Sequence, residues 1–137
     1  MALVPDVKAE VPMPSEGLIK TGEPISFTFA FTNVGMADTS GTNTVRINKA
    51  SDPGTWDATS VPAGWTLVSG TPDAYFEYVT TDPTYTLAVG SSVSFNYTYT
   101  KTSTLVGVAI VGGQVVNGSG GETNYWNNRQ DLLIQSQ

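Results

Sequence analysis

Neither cysteine nor histidine occurs anywhere in the 137 residues. The first absence excludes disulfides, thiolate metal sites, iron–sulfur ligation and cysteine nucleophiles. The second removes Ser-His-Asp chemistry, imidazole ligation of zinc or haem, and histidine-based pH switching. Charge is scarce too: Asp, Glu, Lys and Arg make up 13%, about half the usual ~25%. Six basic residues against twelve acidic ones leave a formal charge of −6. Such a chain cannot neutralise a run of phosphates, so nucleic acid is not an expected partner. No apolar run approaches the ~20 residues of a membrane span. The opening Met1-Ala2-Leu3-Val4-Pro5 has neither the basic nor the apolar region of an export signal. Most enzyme classes fall with these absences, and the expectation is a chain that is not an enzyme.

What is present favours strands. Thr, Ser, Asn and Gly carry the polarity, and β-branched and aromatic residues carry the hydrophobicity. Over residues 25–33, Ile25, Phe27, Phe29 and Phe31 alternate with Ser26, Thr28, Ala30 and Thr32. Over residues 92–100, Val93, Phe95, Tyr97 and Tyr99 alternate with small polar residues. A period of two puts each bulky set on one face and the hydroxyl set on the other, the one-sided burial of an antiparallel sheet. Weaker strands are expected at residues 6–11, 18–19, 42–48, 65–69, 74–80, 84–89, 104–116 and around 132–134. Turn residues recur every 8–12 positions, and a helical stripe is nowhere convincing. A single helical turn near residues 52–57 is the most that is expected. The fold class is all-β: an immunoglobulin-like antiparallel sandwich of seven to nine strands. The length suits one domain, residues 1–137, with residues 1–5 and 135–137 as linker ends.

A family likeness rests on short motifs in order: Pro5-Asp6-Val7, Gly22-Glu23-Pro24-Ile25, Thr32-Asn33-Val34-Gly35, Pro62-Ala63-Gly64-Trp65, the stretch from Leu87 through Gly90 to Phe95, and the closing Glu122-Thr123-Asn124-Tyr125-Trp126-Asn127-Asn128. This order resembles the bacterial and archaeal CARDB and DUF11-type immunoglobulin-like modules of surface proteins. Gly35 and Gly90 are read as turn glycines with positive φ. Asn33, Asn127 and Asn128 are read as side chains that satisfy backbone groups at strand ends. Residues 50–64 depart from the pattern as an insertion-like stretch.

Candidate chemistry falls into three groups. Loop carboxylates Asp52, Asp57, Asp73 and Asp82 are weak calcium candidates, the ordinary alternative being solvated charge; no other cofactor is expected. Asp38, Glu122 and Asp131 count among the same scattered acids. The resemblance to surface modules raises an internal isopeptide bond, for which Lys8, Glu77 and Asn127 or Asn128 have a suitable order. That reaction needs a neutral lysine, an amide and a protonated acid buried together. Lys8 alternates with Val7 and so points outward. Trp56, Tyr125 and Trp126 are candidate ligand-contact aromatics, against core or rim packing for the other rings. The expected function is a non-catalytic structural or adhesion module of a secreted or cell-surface protein. Its expected partners are neighbouring modules or subunits of the same assembly, surface glycans or proteins. A virion, pilus or filament subunit that donates residues 3–11 to a neighbour's edge strand is the alternative, and a carbohydrate-binding module is a second.

Overall fold

Alternating rings and small polar residues make residues 25–33 and 92–101 extended, because only a period of two brings every ring to one side. The computed structural model describes residues 3–14, 17–49, 54–68, 75–104 and 106–137, and carries both segments among ten strands. In chain order these are β1 (Val7–Ala9), β2 (Leu18–Ile19), β3 (Ile25–Asn33), β4 (Thr44–Asn48), β5 (Gly54–Ser60), β6 (Trp65–Leu67), β7 (Tyr75–Thr80), β8 (Ser92–Lys101), β9 (Gly107–Val115) and β10 (Arg129–Ser136). A 3-10 turn at Ser119–Gly121 is the one helical element among the described residues. None of their helices is long and apolar enough to cross a membrane.

The strands form two sheets, ordered β1-β3-β8-β5 and β2-β10-β9-β4-β7-β6. All pairings are antiparallel except β2 with β10. In the first sheet Phe27 lies opposite Tyr97 and Phe29 opposite Phe95. Their rings meet the second sheet directly. Phe95 packs edge-on against Trp65 at 5.4 Å between centroids, and Tyr97 stacks on Phe76 at 4.8 Å. Val45, Ile47, Ala109, Val111, Val115, Leu132 and Ile134 fill the rest of the interior. Each fully buried large side chain contributes ~1.5–3 kcal/mol, so the two ring rows dominate the core. The Tyr78 and Tyr97 hydroxyls hydrogen-bond each other inside it. Burial, and then that bond, push the Tyr97 hydroxyl far above its ordinary pKa, which keeps it neutral.

The immunoglobulin-like sandwich stands, with ten strands among the described residues in place of seven to nine. Three further expectations are corrected. Residues 54–60, expected as part of an insertion-like stretch with a helical turn up to 57 (residues 52 and 53 of that turn lie outside the described residues), form edge strand β5, paired to β8. Only Trp56 in that segment turns inward, so its sequence lacks the alternation that marks β3. Residues 84–89 form no strand, because side chains replace the ladder. Leu87 N–H donates to Thr39 Oγ1 at 2.7 Å, Leu87 O accepts from Asn33 Nδ2 at 2.9 Å, and Val89 N–H donates to Asp38 Oδ1 at 3.0 Å. Finally, residues 135 and 136 are not a linker but the end of β10. Gln137 N–H donates to Ile19 O at 2.7 Å, and Val4 O accepts from Met36 N–H at 3.0 Å.

Candidate functional site

The opening Pro5-Asp6-Val7 and the closing Glu122-to-Asn128 segment meet at one end of the sandwich. Because β1 lies on the first sheet and β10 on the second, the turn before β10 must pass β1, and hydrogen bonds clasp the two together. Ala9 N–H donates to Asn127 O at 2.9 Å. Val7 N–H donates to Glu122 Oε1 at 3.1 Å, 115 positions away in sequence. Asn124 Nδ2 donates to Asp6 Oδ2 at 3.1 Å. Asn128 Nδ2 donates both to Glu122 Oε2 and to Asn117 Oδ1. At the end of β3, buried Asn33 accepts from the Asp6 and Gly35 N–H groups and donates to Ala37 O and Leu87 O.

Gly35 serves this arrangement differently from the expectation. Its φ is not positive, whereas Gly90 has φ 80°. A Cβ on Gly35 would stand 2.5 Å from Asp6 N, so glycine is required there for close passage of the N-terminal strand. Glu122, 2% exposed, is the buried acid of the clasp. Burial raises its pKa and the Asp6 charge adds to the rise, against the opposing bonds from Asn128, Val7 and Gly118.

The clasp carries an exposed loop. Trp126 N–H donates to Asn124 Oδ1 at 3.2 Å, and Asn128 N–H donates to Tyr125 O at 3.4 Å. The backbone is thus tied down while both rings face outward, Trp126 being 97% exposed. Trp56 does not join them, which corrects its placement on an exposed loop. It sits on β5 with its ring 4.8 Å from Tyr99 and about equally near Tyr97, Phe76, Phe27 and Phe29, at 6.0–6.4 Å.

The isopeptide trio is not brought together. Lys8 faces solvent, 3.7 Å from Glu10. Glu77 takes Arg46 Nε at 2.9 Å on the outer face of the second sheet, where β4 and β9 stand between its strand and the start of β10 that follows Asn127 and Asn128. The acid beside Asn128 is Glu122. The buried lysine is Lys101, whose Nζ donates to Ser136 Oγ at 2.7 Å. Its position continues the inward row Val93, Phe95, Tyr97, Tyr99, so alternation alone could have found it. The calcium candidates do not converge either. Asp57 is exposed on β5, and Asp82 is engaged with Thr84, whose N–H and Oγ1 lower its pKa. Asp52 and Asp73 lie outside the described residues. Among the described residues no cluster of three or more Asp or Glu could hold a metal.

A second surface went unnoticed in the sequence. On the outer face of β9 and β10, Leu133 lies opposite Ile110 and Val108 opposite Gln135. Leu133, Val108 and Ile110 are 65%, 58% and 44% exposed, which makes an aliphatic row in water. The Arg129–Asp131 pair, at 3.1 Å, borders it.

No protein-family model matches the sequence, and no curated protein matches it. Solved structures share the fold. The CARDB domain of the PF1109 protein from Pyrococcus furiosus, solved in complex with di-metal ions, aligns with a TM-score of 0.63 over 98% of this chain and 90% of its own, at 13% identity. A cohesin–dockerin complex from Clostridium thermocellum gives 0.58 over 96% and 99%, at 5% identity. A non-cellulosomal cohesin from the archaeon Archaeoglobus fulgidus gives 0.50 over 96% and 91%, at 10% identity. The fold therefore resembles those of CARDB and cohesin domains, in agreement with the likeness read from the motifs.

Proposed function

We propose that this chain is a non-catalytic contact module, a spacer, stalk or adhesion unit of a secreted or cell-surface protein, whose closing loop touches the partner. One observation carries the reading: Trp126 is almost wholly exposed on a backbone anchored through Asn124 to Asp6. A large ring held on an ordered loop loses little freedom on binding, and such rings dominate contact energies. The cohesin–dockerin complex supports the class, since a sandwich of similar fold there meets a protein partner. The test applies wild-type chain and Trp126→Ala to arrays of surface glycans and extracellular proteins. A ligand bound at least tenfold more weakly by the variant supports the reading. Ligands held equally by both proteins overturn contact through this loop.

A second reading, assembly of identical subunits, is favoured by the aliphatic row on β9 and β10. Strand donation by residues 3–11 does not suit it, because Val7–Ala9 already pairs with β3. Association would instead be face to face. Light scattering over a concentration series should then show oligomers that Leu133→Glu abolishes, whereas a steady monomer removes this reading.

A further inference from the structure

Three buried side-chain oxygens at the clasp have no donor: Asp6 Oδ1, Asn127 Oδ1 and Asn128 Oδ1. Buried lone pairs are almost always filled, by protein, water or an ion. They lie on two segments held side by side, since Val7 N–H reaches Glu122 and Ala9 N–H reaches Asn127 O. The orientation of the Asn128 amide is determined by its surroundings. Its nitrogen stands between two acceptors, Glu122 Oε2 and Asn117 Oδ1, so the oxygen must face the other way. Asn128 is 3% exposed, which leaves that oxygen no access to bulk water.

The charge around these oxygens is negative. Asp6 and Glu122 are near enough for one to raise the pKa of the other. Five of the six cations are engaged elsewhere: Lys8 with Glu10, Arg46 with Glu77, Arg129 with Asp131, Lys101 with Ser136 and Lys49 over the Phe76 ring. Carboxylate and amide oxygens, with no histidine or thiolate in the chain, suit a hard cation that fills its remaining positions with water. We propose that Asp6 Oδ1 and Asn128 Oδ1, with Asn127 Oδ1 beside them, bind a divalent cation of the calcium class that ties the N-terminal strand to the closing loop. Glu122 takes no cation directly: it positions Asn128 and supplies neighbouring charge. The site differs from the loop carboxylates Asp57 and Asp82, and it is independent of what Trp126 contacts.

Terbium is the probe, because it shares the oxygen preference of calcium and emits when a nearby excited ring transfers energy to it. Trp126 and Tyr125 are the antenna, since Trp126 N–H hangs on Asn124 and Asn124 on Asp6. Chelator-treated wild-type chain should give saturable terbium emission that calcium displaces. Trp126→Phe should dim the emission without moving the midpoint. Asp6→Asn preserves shape but removes charge, and should weaken both ions at least tenfold. The exposed control Glu10→Gln should leave affinity unchanged. Calorimetry of wild-type chain with calcium reads binding without rings or variants, so a poorly folded variant cannot blur the result. Absence of calcium heat and of saturable emission overturns the proposal, as does equal affinity in a folded Asp6→Asn protein.

Discussion

The outer faces of the two sheets follow the same alternation and end in opposite chemistry. On β3 and β8 the outward residues, Ala30 apart, are hydroxyls and amides, and three pairs bond across the strands: Ser26 with Thr98 at 3.2 Å, Thr28 with Asn96 at 2.6 Å, Thr32 with Ser92 at 2.7 Å. On β9 and β10 the corresponding positions hold Val108, Ile110 and Leu133. Single exposed aliphatic residues are ordinary on protein surfaces. A row of them across paired strands is not, and such rows mark contact surfaces. The first face is complete in itself and the second is not. The core between them is common property, and that sets the largest test.

Phe29→Ala empties the centre of the shared interior, where the ring touches Phe27, Trp56 and Tyr97. Truncating a buried phenylalanine costs ~3–5 kcal/mol. Urea unfolding followed by tryptophan fluorescence and by circular dichroism should shift together, since Trp65 and Trp56 report from different sheets. If the probes separate, the two faces do not share one cooperative core. Asn33→Ala comes next. It leaves the Asp6 and Gly35 N–H groups and the Ala37 and Leu87 carbonyls without this partner. Stranding buried polar groups should lower stability by about 2–3 kcal/mol, and amide exchange should rise first at residues 6 and 35.

How far the sequence disclosed this design depends on which physical signal each region carries. β3 and β8 were plain, because bulky and small residues alternate without a break. β5 was hidden, since an edge strand with one buried side chain carries no period to detect. Residues 84–89 have strand composition but sit where Thr39, Asn33 and Asp38 take over their hydrogen bonds, a tertiary effect that no local pattern encodes. The clasp was half visible. Its residues stood in the motifs as Asp6, Glu122, Asn124 and Asn128, but their joining across 115 positions follows from the path of β1 past β10. The aliphatic row was concealed by the nearly continuous apolar run of residues 104–116, which reads as burial on both faces.

Glu122 couples the clasp to pH. Glu122 has its pKa raised in the folded chain from an ordinary 4.5, so the native state holds its proton more tightly than the unfolded state. Stability from this group is therefore greatest below the ordinary value and declines as pH rises through the window above it. In metal-free buffer, Glu122→Gln should flatten that decline, the two proteins converging at low pH and the variant gaining as pH rises. Parallel curves for variant and wild type would assign the pH dependence to other carboxylates.

The smallest expected change separates the two faces most directly. Ile110→Thr and Thr28→Val exchange chemistry between them while leaving the core intact. Surface substitutions of this kind usually stay within about 0.5 kcal/mol, with Thr28→Val at the upper end because Asn96 Oδ1 loses its hydroxyl partner. The informative readout is binding of a hydrophobic dye. Ile110→Thr interrupts a row that Leu133 and Val108 extend, so dye binding should fall well below wild type. Thr28→Val adds one methyl among hydroxyls that still bond each other, so it should leave dye binding unchanged. Equal responses from both variants would mean that an isolated methyl group counts as much as a row, and the asymmetry between the faces would then carry no consequence for contact.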